Sequence, residues 1–166
     1  MASHSVLSYS VPQRILHWLM FVLIGFNLIF SDGIEHWHHV VRDGRMPTPD
    51  EVSSANIHAY VGIAILCLAV VRLVLRLVHG APDAPPEEPP LFRLAAKIAH
   101  GAFYVLFFAM PLSGIAAYYF GIGGAGSLHA GVLKSLLWVL IVAHVAALAV
   151  HRFYWKTPVF SRMTRG

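Results

Sequence analysis

Charge is what this sequence has least of. Only 12% of its 166 residues are Asp, Glu, Lys or Arg while 57% are hydrophobic, against a charged share of about a quarter in soluble domains. That balance argues against a water-soluble fold. Cysteine is nearly absent too: Cys67 stands alone, which excludes an intrachain disulfide, a Cys-x-x-Cys redox pair and a Cys-x-x-Cys-His attachment site. No 20–50-residue repeat is present. No small-x-small cleavage pattern follows the first apolar run, so that run reads as a retained helix and not as a secretory signal.

What the chain does have is long apolar runs. Crossing the hydrocarbon core takes about 20 mostly apolar helical residues, and four runs qualify: 15–31, 57–78, 98–119 and 135–151. The expected fold is all-α, an integral membrane four-helix bundle forming a single domain over 1–166. Net charge is +4, but the basic residues sort by membrane side. Nine lie at the amino terminus, the 2–3 connection and the carboxyl terminus; Arg42, Arg45 and Lys134 lie in the other two connections. The positive-inside rule then puts both termini in the cytoplasm. Nucleic acid is not needed to explain the charge.

The proline-rich stretch "GAPDAPPEEPP" cannot be helix and reads as a cytoplasmic hinge between two helical hairpins. Residues 32–56 read as a long outer loop, with Asp50, Ser53 or Ser54 as candidate caps for the helix that carries His58. "GIGGAGS", 121–127, reads as a short outer turn, and Met110-Pro111 predicts a kink in the third run.

Eleven histidines are the main chemical signal. His17, His58, His129 and His144 lie in or at the edges of runs one, two and four, and ionisable groups at membrane depth usually face the bundle interior with a partner. Imidazole is a common axial ligand of haem, and a six-coordinate iron between helices takes two of them at similar depth. With no attachment motif, such a haem would be held non-covalently. His129 and His144 are 15 residues apart, about 22 Å of rise and about 60° of rotation, which suits two stacked sites. His58 is level with His129. His17 should meet His144, although counting from Arg14 and Arg152 leaves a depth mismatch of about 7 Å and His151 matches His17 better on that count.

Each histidine also has a plainer reading as a core, interface or loop residue. His79, His100 and His151, beside basic residues or at the inner boundary, suit headgroup, propionate or quinone contacts. In "EHWHH", His36 and His39 could share a helix face and bind a metal, but histidines that simply face water are the simpler account. The four tryptophans read mostly as an interfacial belt, and Gly25, Gly62, Gly101 and Gly114 as positions of close approach.

The segments "ILHWLMF", "NIHAYVGIAILCLAVVRLVLRL", "AHGAFYVLFFAMPLSG" and "AHVAALAVHRFYWK" resemble the four helices of the bacterial cytochrome b561 family. The resemblance covers nearly the whole chain. It implies two haem b groups, the inner one held by His17 and His144 and the outer one by His58 and His129. It also implies residence in the bacterial inner membrane and traffic with the quinone pool, ubiquinone being the expected acceptor or donor. The fourth-helix pair is one residue further apart here than is usual in the family, which either sets His129 outside the ligand set or requires a π-bulge, and Lys134 follows His129 where the family's superoxide oxidase has a lysine just before its ligand.

Two histidines per iron leave no open position, so such haems relay electrons. The first expectation is therefore a diheme cytochrome, leaning to an oxidoreductase of the superoxide:ubiquinone type, with Arg72, Arg76, His100, His151 and Trp155 as candidate propionate or quinone contacts. The outer substrate would be superoxide, steered locally by Lys134, Arg42 or Arg45, or a periplasmic redox protein. Alternatives are the haem-bearing anchor of a larger dehydrogenase and, less favoured, a haem-free histidine-rich transporter. Membrane lipid surrounds any of these, and a homo-oligomer is compatible with all.

Overall fold

The computed structural model describes residues 8–166. It is all-helical among these residues, and four helical segments are long and apolar enough to cross a membrane.

Helix α1 (Val11–Ile29) starts at Ser10, whose backbone N–H donates to Gln13 Oε1 at 3.0 Å, with Pro12 in the first turn. The segment expected to be an outer loop instead contains α2 (Asp32–Arg42). Its acidic residues, Asp32 and Glu35, sit in the first turn, and His39 and Arg42 in the last, matching the helix dipole. Val40, 1% exposed, anchors its apolar face. Gly33 is required here, because a Cβ would come within 2.9 Å of Ser54 Cβ on the next helix.

Helix α3 (Pro49–His79) begins earlier than its apolar run and is capped by Thr48, not by Asp50 or the serines. Thr48 Oγ1 accepts from the Glu51 N–H at 3.3 Å and the Glu51 carboxylate accepts from the Thr48 N–H at 2.7 Å. This reciprocal box satisfies two end donors at once, with Pro49 in the first helical turn. At 31 residues the helix is about 46 Å long and outruns a hydrocarbon core of about 30 Å, so its first turns form part of an extramembrane layer with α2.

Helix α4 (Pro90–Phe120) contains Pro111 and ends at Gly121, which is left-handed at φ 65°. The glycine-rich turn is shorter than expected: α5 (Gly123–Leu128) already winds through most of it. A π turn over His129–Leu133 leads into α6 (Lys134–Ala149), a second covers Val150–Tyr154, and α7 (Val159–Thr164) follows.

The bundle packs α1 on α3, α3 on α4 and α4 on α6. Met20, Ile65 and Ala69 form its small core, with Phe107 and Phe108 packed against them. Most other apolar side chains face outward, as lipid solvates them as well as a core does. The proline-rich linker is held from three helices: Gln13 Nε2 donates to the Gly80 carbonyl at 2.9 Å, Arg93 Nε to that of Glu88 at 2.7 Å, and Arg162 to that of Asp83 at 2.8 Å. It forms a fixed cap on the end opposite α2.

Candidate functional site

Two pairs of histidines face one another across the bundle. At the α2 end, His58 of α3 and His129 have ring centroids 6.2 Å apart. At the linker end, His17 of α1 and His144 of α6 are 6.4 Å apart. An imidazole nitrogen meets a metal at about 2.0–2.1 Å, so rings on opposite sides of one ion have centroids about 6 Å apart. Both pairs fit that separation.

The His58/His129 pair lines a cavity of about 490 Å³, with Asn27, Gly62, Phe107 and Gly114 among its walls. That volume suits a cofactor of haem size. The π turn beginning at His129 explains how the pair forms: a wide turn absorbs one extra residue, so the 15-residue spacing from His129 to His144 does not carry the ring away from the interior. Gly114 makes room for it, since a Cβ there would lie 3.1 Å from His129 Cε1.

His129 Nδ1 is 2.8 Å from the Met110 carbonyl oxygen and 3.2 Å from Ser113 Oγ, which itself donates to the same carbonyl at 2.8 Å. A carbonyl only accepts, so Nδ1 carries the hydrogen and Nε2 keeps its lone pair. This is the arrangement of a metal-ligating histidine oriented by a backbone carbonyl. Opposite, His58 Nδ1 is buried without a hydrogen-bond partner, and so is Asn27 Oδ1; Asn27 Nδ2 donates to the His58 carbonyl at 3.1 Å. Unpartnered polar atoms in a pocket are costly unless something completes it.

At the other pair, Arg72 Nη2 donates to His17 Nδ1 at 3.2 Å. His144 also stands 6.0 Å from the His100 ring and 5.7 Å from Phe103. His100 was expected at the boundary and is in fact a third imidazole of this group. The readable signal was its place on α4 at i, i+3 and i+7 with Phe103 and Phe107.

His151 does not join this group. It lies buried with its Nδ1 2.8 Å from Thr157 Oγ1, its Nε2 3.8 Å from Glu88 Oε1, and its ring 4.8 Å from Trp155. The five candidate propionate or quinone contacts thus fall into parts: Arg72 beside His17, His100 beside His144, His151 with Trp155, and Arg76 one turn beyond Arg72 on α3.

Over the cavity, α2 is pinned by Lys134 Nζ to Glu35 Oε1 at 3.2 Å and by Trp37 packed against Tyr118, with ring centroids 4.6 Å apart. The Ser31 hydroxyl, at 2.7 Å, and Lys134 hold the Glu35 carboxyl below the usual carboxylate range. Arg42 and Arg45 each lie 3.9 Å from Asp43, so the three cations expected to steer an anion are all partnered. In "EHWHH", His36 bonds Glu51 at 2.8 Å and His39 bonds Arg42 at 2.9 Å. Among the described residues no cluster of three or more His, Cys, Asp or Glu could hold a metal ion.

Comparison with known proteins identifies the family. A family model described as prokaryotic cytochrome b561 matches residues 8–166. Cytochrome b562 of Cereibacter sphaeroides is 30% identical over 157 residues, 95% of each chain. The probable superoxide oxidase CybB of Yersinia pestis is 32% identical over 111 residues, 67% of this chain and 58% of that protein. Cytochrome b561 homolog 2 of Escherichia coli K12 is 26% identical over 112 residues, 64% of this chain and 53% of that one. The chain belongs to the prokaryotic cytochrome b561 family, haem-bearing transmembrane proteins of electron transport.

Proposed function

We propose that this chain is a diheme b-type cytochrome carrying electrons across the bacterial inner membrane, between a donor on the periplasmic side and ubiquinone near the cytoplasmic side. The observation that carries the reading is the presence of two facing histidine pairs, one at each end of a single bundle. The charge asymmetry of the connections supports placing both termini and the linker cap in the cytoplasm and α2 outside.

His58 and His129 would hold the outer haem, and His17 and His144 the inner one. When bound, each haem supplies a one-electron couple with no open coordination position. The protein's part is to orient and to tune. The Met110 carbonyl and Ser113 fix the His129 tautomer and ring plane. A neutral imidazole ligating through Nε2 carries its hydrogen on Nδ1, where Arg72 cannot donate; in the loaded protein Arg72 contributes its charge and is free to meet a propionate carboxylate. Arg76, His100, His151 and Trp155 would serve the inner propionates or a quinone, an apolar molecule whose two carbonyls call for donors at the hydrocarbon edge.

The relative named a probable superoxide oxidase supports superoxide as the outer substrate. The pairing of Lys134 with Glu35, and of Arg42 and Arg45 with Asp43, favours instead a periplasmic redox protein seated on α2. In that second form the chain is the electron-transfer subunit of a larger dehydrogenase.

The test is haem quantification on purified protein followed by rapid mixing. Two non-covalent haems b per chain, reduced from outside and rapidly reoxidised by ubiquinone, are expected. One haem or none would remove the four-ligand assignment, and reduced protein indifferent to ubiquinone would remove the quinone reaction.

A further inference from the structure

Glu88 is 5% exposed in a linker whose neighbours Glu87 and Pro89 are open to solvent. Its carboxylate faces His151 Nε2 at 3.8 Å, and His151 is itself only 8% exposed. A carboxylate is costly to bury unless it is paired, and a structural clamp here could be made at lower cost from apolar residues.

Thr157, 7% exposed, has its hydroxyl 3.4 Å from the His151 carbonyl oxygen and 2.8 Å from His151 Nδ1. With the hydroxyl hydrogen on that carbonyl, Nδ1 carries a hydrogen. A neutral ring would then turn the Nε2 lone pair toward the Glu88 oxygens, acceptor against acceptor and out of water. One further proton, on Nε2 or on the carboxyl, turns that repulsion into a charge-assisted or neutral hydrogen bond.

The pair also lies at an apolar edge. The π turn over Val150–Tyr154 presents His151 inward, and Trp155 packs between it, at 4.8 Å, and Phe92, at 5.2 Å. Phe92 and Tyr154 face outward. The other charged groups nearby are Arg93, which bonds the Glu88 carbonyl from α4, Glu87 in the linker, and Arg152 and Lys156, which flank this segment in sequence.

We propose that Glu88 and His151 hold one exchangeable proton and deliver it to a quinone reduced at this edge. The inference rests on the quinone reaction proposed above. A quinone that takes up two electrons, which a haem held by His17 and His144 would supply, takes two protons to become quinol. His151 Nε2 releases a proton to a quinone oxygen, Glu88 returns one to it from the water outside the linker, and the second proton follows the same way. His151 is the donor and Glu88 the positioning and reloading group.

The experiment uses the haem-loaded full chain as wild type, Glu88→Gln and Glu88→Asp, with haem content recorded for each. Reduced protein is mixed either with ubiquinone or with hexacyanoferrate, a one-electron acceptor that takes no proton. Expected in Glu88→Gln is at least a tenfold slower ubiquinone reaction, with unchanged haem content and hexacyanoferrate rate, and recovery of most of the rate in Glu88→Asp. The wild-type ubiquinone rate should also fall in D₂O, and Glu88→Gln should change the size of that fall, which loss of a mere clamp would not do. A Glu88→Gln protein as fast as wild type with ubiquinone would overturn the proton role and leave the quinone reaction standing. A wild type that reacts with hexacyanoferrate but not with ubiquinone would overturn both.

Discussion

The Nδ1 of His129 lies 2.8 Å from the carbonyl oxygen of Met110, the residue just before Pro111 in α4. The Ser113 hydroxyl donates to the same oxygen at 2.8 Å, so one α4 carbonyl serves a side chain of its own helix and one from across the bundle. The Met110 carbonyl thus becomes part of the site, because it settles which nitrogen of His129 is free.

Gly114 sets the room for that ring. Gly114→Val should displace His129 and lower haem content from two per chain to one, the outer haem being lost. Gly114→Ala, whose Cβ would meet His129 Cε1 at 3.1 Å, should weaken outer-haem retention by about 10- to 100-fold, the range for disturbed metal-site support. Pyridine haemochrome analysis reads both, and two fully retained haems in the valine variant would exclude His129 as a ligand.

His144 and His151 separate two readings of the inner pair. His144→Ala should lose the inner haem, since His144 and His17 are 6.4 Å apart. His151→Ala should retain both haems, because its ring is committed to Thr157 and Glu88. Haem stoichiometry with low-temperature spectra of the reduced proteins checks this, and the reverse pattern would exchange the assignments.

Arg72 places a positive charge beside the inner pair only. A cation favours the reduced, less positive iron, so Arg72→Gln should lower the inner midpoint by about 30–60 mV, about three- to tenfold in a one-electron equilibrium. The outer midpoint should not move. A redox titration resolving two components decides it.

Glu35 neutralises Lys134 over the outer cavity. Glu35→Gln should raise the rate of haem reduction by superoxide by up to about tenfold at low ionic strength, with a steeper fall on adding salt. The sign of its pH dependence follows from its carboxyl being held below the usual range. The contacts with Ser31 and Lys134 are intact above that range and are lost as pH falls through the depressed value. The wild type should therefore lose the Glu35–Lys134 contact only at distinctly acid pH, as infrared or NMR titration of the Glu35 carboxyl would show.

Several features escaped linear reading for identifiable reasons. Helix α2 was hidden because "EHWHH" interrupts its apolar pattern with histidines, whereas Val40 against α3 supplies the burial that holds it. The early start of α3 lay in polar residues, so hydropathy missed it and only the Thr48–Glu51 box defines it. His100 was read by its nearness to basic residues, and its partner lies 44 positions away on α6.

Composition and pattern by themselves determined that this chain is a membrane helical bundle with four spans, that its histidines occur at two depths, and that its charge is asymmetric between connections. Those properties are carried by residue counts and by the length of apolar runs, which lipid imposes on any chain that crosses it. Which histidines meet was decided only in three dimensions. Counting along α1 and α6 assumes uniform rise and rotation and a common level for Arg14 and Arg152. Two π turns break the uniformity, and arginine reach and helix tilt break the common level. The pairing of His17 with His144, and of His151 with Glu88, follows from how the helices wind and lean on one another, which no linear spacing encodes.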